Sequence, residues 1–397
     1  MNNYKMIIQG FDFGPCVSKL IIDWGQPPAT PAPEDFTVSV IKEGSFSDAA
    51  PILTGTRKIT AAYMEGTQLI LEMEVSPLCN IGHALMVDHV DKGPDRPYSG
   101  QRWANPYEYK LSYKGQDYPL VCAEIIREIA DLFDYGDFES TDGIKLQYAH
   151  FTPPEATNSK RPLIIWLHGA WEGTFFGAHP ANIAIMGNKA VALADTQIQK
   201  IMQGAHVLAP QTPTMWMDDG SGMYTKDGTS MYEAALAELI DAKINNCPSI
   251  DPSRVYIGGC SNGGFMTLKM LFARPGLFAA AFPVCHGYNP AWITDEMINR
   301  IKHIPIWQIH SWNDTVFPGS FADDVHKKLL AAGAADTVCS VYDKVEDVTG
   351  KWKDESGKPW VYDAHATWVP VFNNDVSAVV DGNEIRIFEW MAGQVRK

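Results

Sequence analysis

Residues 255–273 read VYIGGCSNGGFMTLKMLFA: a β-branched apolar run, four glycines around a serine, then an apolar pattern at helical spacing. A strand that stops at a glycine pair and restarts at once as a helix leaves the chain few architectures. It is the grammar of a parallel sheet covered by helices. Ser261 is the centre of a G-x-S-x-G motif, Gly259-Cys260-Ser261-Asn262-Gly263. The spacing has a steric reason, because a sharp strand-to-helix turn holds its apex residue in strained backbone while glycines on either side let neighbouring chain approach. With Gly and Ser each near about 7% of residues, chance alone produces such a motif in roughly one chain of this length in ten. The flanking strand and helix are what raise it above chance.

The same grammar recurs from about residue 144 onward. The apolar runs LIIWL (163–167), HVLA (206–209), VYI (255–257), AAAFPV (279–284) and IPIWQI (304–309) are expected as core strands, buried on both faces of a mostly parallel sheet. Amphipathic stripes over 231–244 and 321–332 are expected as helices between them. The first 125 or so residues are written differently, in period two. Phe36, Val38 and Val40, then Ile59, Ala61 and Tyr63, then Leu69, Leu71, Met73 and Val75, then Tyr107, Tyr109, Leu111 and Tyr113 alternate as strands do. Pro and Gly clusters such as Gly25-Gln26-Pro27-Pro28 and Lys92-Gly93-Pro94 punctuate them, which predicts a β-sandwich. The acidic stretch 128–142 is expected as an exposed link. It divides the 397 residues near 135, into an all-β domain over 1–135 and an α/β domain over 136–397.

Composition narrows the partners. Forty-seven acidic against 32 basic side chains leave a formal charge of −15, whose field repels phosphate backbones and anionic lipid surfaces. Neither nucleic acid nor membrane is an expected partner, and no apolar run reaches the ~18 residues of a membrane-crossing helix. Nothing as written directs the chain out of the cytoplasm, although a trimmed signal peptide would leave the same residues. The seven cysteines are scattered without C-x-x-C spacing and read as buried thiols. Cys260, beside the serine, is expected to pack away from the apex. Asp88, His89 and Asp91, and separately Asp218 and Asp219, follow no EF-hand or zinc spacing, so no metal is expected. No phosphate loop or dinucleotide fingerprint appears, and no cofactor is expected. A homo-oligomer is left open.

A serine hydroxyl is a weak nucleophile at neutral pH. It needs an imidazole to take its proton, and the imidazole needs a carboxylate to fix its tautomer and stabilise its charge. Where a strand–serine–helix turn is used, the chain order is Ser, acid, His. Asp314 follows the run IPIWQI in His310-Ser311-Trp312-Asn313-Asp314, at the carboxyl end of a core strand, where such sheets place their sites. His365, in Tyr362-Asp363-Ala364-His365, is the expected base, with Asp363 the rival to Asp314 as acid. His310 is expected to be a packing residue. Acyl transfer also needs N–H donors for the oxyanion, worth roughly 10²- to 10³-fold each. The amide of Asn262 is one, and the loop His168-Gly169-Ala170-Trp171 supplies the other, at Ala170 or next at Trp171.

These residues together resemble a known family. His168-Gly169, Gly259-Cys260-Ser261-Asn262-Gly263, Asp314 with Val316 and Pro318, and His365 with Trp368 resemble the serine esterases of the α/β-hydrolase superfamily, in the polyhydroxybutyrate-depolymerase and prolyl-oligopeptidase-like branch. The stretch Gly10-Phe11-Asp12-Phe13-Gly14-Pro15-Cys16-Val17-Ser18-Lys19-Leu20 is similar to the opening of the immunoglobulin-like domain that some of these esterases carry. The resemblance implies a serine carboxylesterase with Ser261, Asp314 and His365 as its catalytic triad. Trp171 and Ser311 depart from it, standing where relatives often have glycine.

Aromatic side chains crowd the predicted loops: Trp171, Phe175, Phe176, Trp216, Trp312, Trp352, Trp360 and Trp368. Trp171, Trp216, Trp312 and Trp368 are expected to bind substrate. They favour a bulky or aromatic acyl group on a small-molecule or polymer-linked ester, of feruloyl, acetyl or hydroxyacyl type. Residues 343–361 form a polar insertion that reads as a flap or an inert loop. A serine peptidase with the same triad and a non-catalytic binding module are the competing readings. An intact triad speaks against the module, and 125 residues are too few for the propeller that related peptidases carry.

Overall fold

The computed structural model describes residues 2–25, 30–43, 52–91, 97–105, 107–157, 159–173 and 181–396. Gln26 to Pro28, 92–94, Phe175 and Phe176 lie outside the described residues, as do the side chains of Asp88, His89 and Asp91. The chain forms two compact units, Met1–Leu132 and Phe133–Lys397.

The second unit is built on one eight-stranded sheet. Its strands are β1 (Asp134–Glu139), β2 (Lys145–Phe151), β3 (Arg161–Leu167), β4 (His206–Gln211), β5 (Ile250–Cys260), β6 (Ala280–Val284), β7 (Ile306–Ser311) and β8 (Thr337–Tyr342). They lie in the order β1-β2-β4-β3-β5-β6-β7-β8. Only β2 runs against its neighbours; from β4 to β8 every pairing is parallel. Each of the five apolar runs supplies a strand, with Ala279, Ile304 and Pro305 falling just before theirs, and β4, β6 and β7 are buried along their whole length. The reason is physical: helices cover both faces, so neither face needs polar residues. The helices Glu233–Asn246, Asn262–Ala273, Asp295–Ile301 and Ser320–Ala331 alternate with these strands. Leu236, Leu239 and Ile240 of the first pack with Phe265, Leu268 and Leu271 of the second and with Leu163, Ile165 and Ile257 of the sheet.

The acidic stretch 128–142 does hold the division between the two units, after Leu132, but it is more than an exposed link. It contains β1, whose six residues pair in register with β2 from Asp134 opposite His150 to Glu139 opposite Lys145. An edge strand half open to water tolerates such acidity. Registry across the centre matters most for the site. Cys260 lies opposite Val284 and Val284 opposite Ile309, so β5 and β6 end level and β7 runs only two residues further, to Ser311. The residues after each of these strands therefore adjoin.

The first unit is all-β, with a five-stranded and a four-stranded sheet and a two-stranded ribbon. The five-stranded sheet pairs Asn2–Phe11 with Gly14–Asp23 antiparallel and with Leu120–Arg127 parallel. The two larger sheets face each other: the Tyr109 N–H on one donates to the Tyr4 hydroxyl on the other. Alternating burial along Phe36–Glu43 puts Phe36, Val38 and Val40 inside, as a half-buried strand requires.

Candidate active site

Ser261 sits between β5 and the helix Asn262–Ala273 with φ +57° and ψ −113°, a conformation that costs a non-glycine residue about 1–3 kcal/mol. Its neighbours hold it there. The Ser261 N–H donates to the Val284 carbonyl at 2.9 Å, and its carbonyl accepts from Phe265 and Gly287. The flanking glycines are required by close approach rather than by positive φ. A Cβ on Gly259 would lie 2.6 Å from the Leu167 carbonyl oxygen, and on Gly263 it would overlap that oxygen outright. A Cβ on Gly264 would lie 2.6 Å from the Val284 carbonyl.

Asp314 follows β7 by three residues and its carboxylate is buried. Oδ1 accepts from the backbone N–H groups of Val316 (2.8 Å) and Phe317 (3.1 Å). Oδ2 lies 2.7 Å from His365 Nδ1. Burial alone would raise its pKa, but the His310 and His365 hydrogen bonds, the His365 charge and the Val316 N–H outweigh burial and hold the carboxyl well below the usual range. The structure thus brings Asp314 and His365 together. The carboxylate of Asp363 instead caps its own turn, with Oδ1 accepting the His365 backbone N–H at 2.8 Å. With Nδ1 facing Asp314, Nε2 is the nitrogen left to accept a proton. The imidazole is flanked by Phe317 and Trp368, with centroids 5.9 and 6.0 Å away. Phe317 links this pair to the serine turn, because its ring lies against Gly287, where a Cβ would come within 2.5 Å of it. Gly287 in turn donates its N–H to the Ser261 carbonyl.

Asn262 opens the helix, so its N–H is among those with no intrahelical acceptor. Its side chain is buried, and Oδ1 accepts from Met217 N–H at 3.0 Å. Ala170 begins a single 3₁₀ turn, Ala170–Glu172, directly after β3. Two buried side chains shape this turn, and neither was singled out for it by the sequence. His168 Nε2 accepts from Thr212 N–H at 3.2 Å, so Nδ1 carries the proton and donates to the Gly169 carbonyl at 2.6 Å. Fixing that carbonyl directs the Ala170 N–H to the opposite side of the same planar peptide. Burial lowers the His168 pKa to about 4, so the ring is neutral at pH 7. Glu172 is buried too. Desolvation pushes its carboxyl up to about 7 against the N–H groups of Glu172 and Gly169 and the Asn188 amide. Its only advance signal is an acidic residue three positions past Gly169 in an otherwise apolar neighbourhood.

The four tryptophans separate. Trp171 (46% exposed) and Trp312 (48% exposed) stand on the Ala170 turn and the acid loop, with exposed Val316 beside Asp314. Trp368 is half-buried against His365. Trp216 must be corrected: at 0% exposure it is core, packed 5.2 Å from His168 and 6.2 Å from Tyr232, and it backs the site rather than lining it. His310 is a second correction. It is no mere packing residue, since Nε2 lies 3.2 Å from Asp314 Oδ2. The Asp218 carboxylate is occupied by the Gly220 and Gly222 N–H groups and the Thr214 hydroxyl. Among the described residues no cluster of metal-ligating side chains occurs. All seven cysteines are free thiols, but only Cys16, Cys260 and Cys285 are buried; Cys79, Cys247 and Cys339 are half-buried and Cys122 is exposed. Cys260 is buried and accepts from the Asn188 amide at 3.1 Å.

Residues 154–347 match the family model described as Phospholipase/Carboxylesterase. Among curated proteins, the chain is 25% identical over 178 residues to the poly(3-hydroxyalkanoate) depolymerase C of Paucimonas lemoignei, covering 43% of this chain and 38% of that protein. It is 22% identical over 259 residues to a probable chloroplastic glutamyl endopeptidase of Arabidopsis thaliana, covering 62% of this chain and 25% of that protein. The chain thus spans well under half the length of either relative. Among solved structures, a thermostable esterase superposes with a TM-score of 0.75 at 23% identity, covering 99% of both chains.

Proposed function

We propose that this chain, an α/β-hydrolase preceded by an all-β unit, is a serine carboxylester hydrolase working through an acyl-enzyme. The observation that carries the reading is the 2.7 Å contact between His365 Nδ1 and Asp314, whose loop carries Phe317 against Gly287, the residue that donates to the carbonyl of the strained Ser261 turn. Ser261 attacks the ester carbonyl as His365 Nε2 takes its proton. Asp314 holds the ring and stabilises the imidazolium, while the N–H groups of Asn262 and Ala170 receive the oxyanion. The imidazolium then protonates the departing alcohol, and neutral His365 activates water to release the acid.

Exposed Trp171, Trp312 and Val316 flank the site on its two loops and support an aromatic or bulky apolar acyl group, including feruloyl and hydroxyacyl esters. The likeness to a poly(3-hydroxyalkanoate) depolymerase supports the hydroxyacyl type among these. The endopeptidase relative favours a second reading, amide cleavage by the same residues.

Ser261→Ala should lower turnover of p-nitrophenyl esters by at least about 10⁴-fold and abolish labelling by a fluorophosphonate. Full turnover in that variant would end the assignment. Cleavage of a peptide library at rates matching the best ester would favour the second reading.

A further inference from the structure

We infer that His310 is a positioning residue for the reaction proposed above, a second imidazole that clamps the carboxylate of Asp314 and tempers its hold on His365. His310 is the penultimate residue of β7 and is fully buried. Its Nε2 lies 3.2 Å from Asp314 Oδ2 and 3.1 Å from the Phe317 carbonyl oxygen. A carbonyl oxygen only accepts, as does an ionised carboxylate, so Nε2 carries a proton and shares it between the two. The carboxylate therefore has four donors around it: two backbone N–H groups on Oδ1 and two imidazole N–H groups on Oδ2.

Two consequences follow from this arrangement. Four donors at fixed positions leave the carboxylate no rotational freedom, so the orientation of His365 is inherited from β7 through His310. The second concerns basicity. Each N–H that Oδ2 accepts draws off electron density, so His310 weakens the stabilisation that Asp314 gives to the His365 imidazolium. Removing the His310 donor raises the basicity of His365, and the acid limb of kcat/KM, which requires neutral imidazole, moves to higher pH. The titratable groups around Asp314 are His310 from β7, His365 from its own loop and Cys285 from the turn after β6. His286 stands behind His310, its ring 5.8 Å away and perpendicular, with Nε2 3.2 Å from Gln308 Oε1. His310 Nδ1 has no partner among the described residues, so the one productive contact of the ring is through Nε2.

The inference rests on the serine-hydrolase reading, and its test separates the two. Gln at position 310 places an amide N–H where Nε2 stood, whereas Asn reaches only as far as Nδ1. His310→Asn should lower kcat on a p-nitrophenyl ester about 10- to 100-fold, leave KM within about twofold, and move the acid limb up by about half a pH unit or more. His310→Gln should recover most of kcat and the wild-type limb. Both variants should still be labelled at Ser261 by a fluorophosphonate, whereas absence of labelling in the wild type would sink the reading beneath. Equal losses in Asn and Gln with an unmoved limb would overturn the clamp. Should the Asn variant not fold, the wild type decides: nitrogen NMR of labelled histidine should find His310 with its proton on Nε2, and a proton on Nδ1 alone would refute the inference.

Discussion

The buried cations of the all-β unit and the buried carboxylate at the site of the α/β unit are handled in opposite ways. In the all-β unit Lys42 and Arg57 are both buried, without an ion-pair partner among the described residues. Backbone carbonyls quench them: Lys42 Nζ donates to Asn80 and His83, and Arg57 Nη2 donates to Val17 and Glu74. Arg57 Nη1 donates to the Tyr109 hydroxyl. These contacts staple residues 74–83 onto the sheets. In the α/β unit the buried charge is anionic, and its neighbours at Asp314 are two imidazoles. The difference is instructive. A carbonyl has no proton to exchange, so charge met by carbonyls fixes shape, while charge met by imidazoles can take part in proton transfer.

Three experiments press on that contrast. The largest effect is expected for Arg57→Met, which strands the Val17 and Glu74 carbonyls and should destabilise folding by about 3 kcal/mol or more in urea titration. The folded enzyme should keep its kcat, and a catalytic loss exceeding the folded fraction would break the contrast. Glu172→Gln comes next. The folded carboxyl titrates near 7 rather than 4.5, so between those values the unfolded chain has released a proton that the folded chain still holds. Wild-type stability therefore falls as pH rises through this window, and is undiminished below about 4.5. The variant has nothing to titrate, so its stability relative to wild type should grow by about 3 kcal/mol from pH 4.5 to 7.5. Parallel curves would show that the carboxylate is solvated like a surface acid. The smallest effect is expected for Trp171→Ala, on the exposed rim. KM for aromatic acyl esters should rise about 3- to 10-fold while thermal stability stays within about 2 °C.

How much of this was legible in the sequence depended on how local each signal was. β3 to β7 announce themselves because strands buried on both faces become unbroken apolar runs. The serine turn is legible because close backbone approach demands glycine at fixed offsets. Asp314 and His365 follow from chain order together with the place of Asp314 at the carboxyl end of an apolar run, which Asp363 lacks. β1 was hidden because an edge strand needs no apolar face, and Asp134, Asp137 and Glu139 read as a link. Trp216 misled because its side chain says nothing of which way it turns, and its buried neighbours Met215 and Met217 gave no alternation to read. His310 was invisible for a different reason. Its contact with Asp314 exists only once the turn 311–314 has folded back over the end of β7, which no periodicity encodes.

The glycines around Ser261 differ in what they press against, and that sets how the turn can change over time. Gly258 faces the ring of Phe282, so a methyl group there could be accommodated by a smaller side chain opposite. Gly259, Gly263 and Gly264 face main-chain atoms, which every amino acid shares and no compensating substitution can trim. Substitution is therefore sterically open at the first position and closed at the other three.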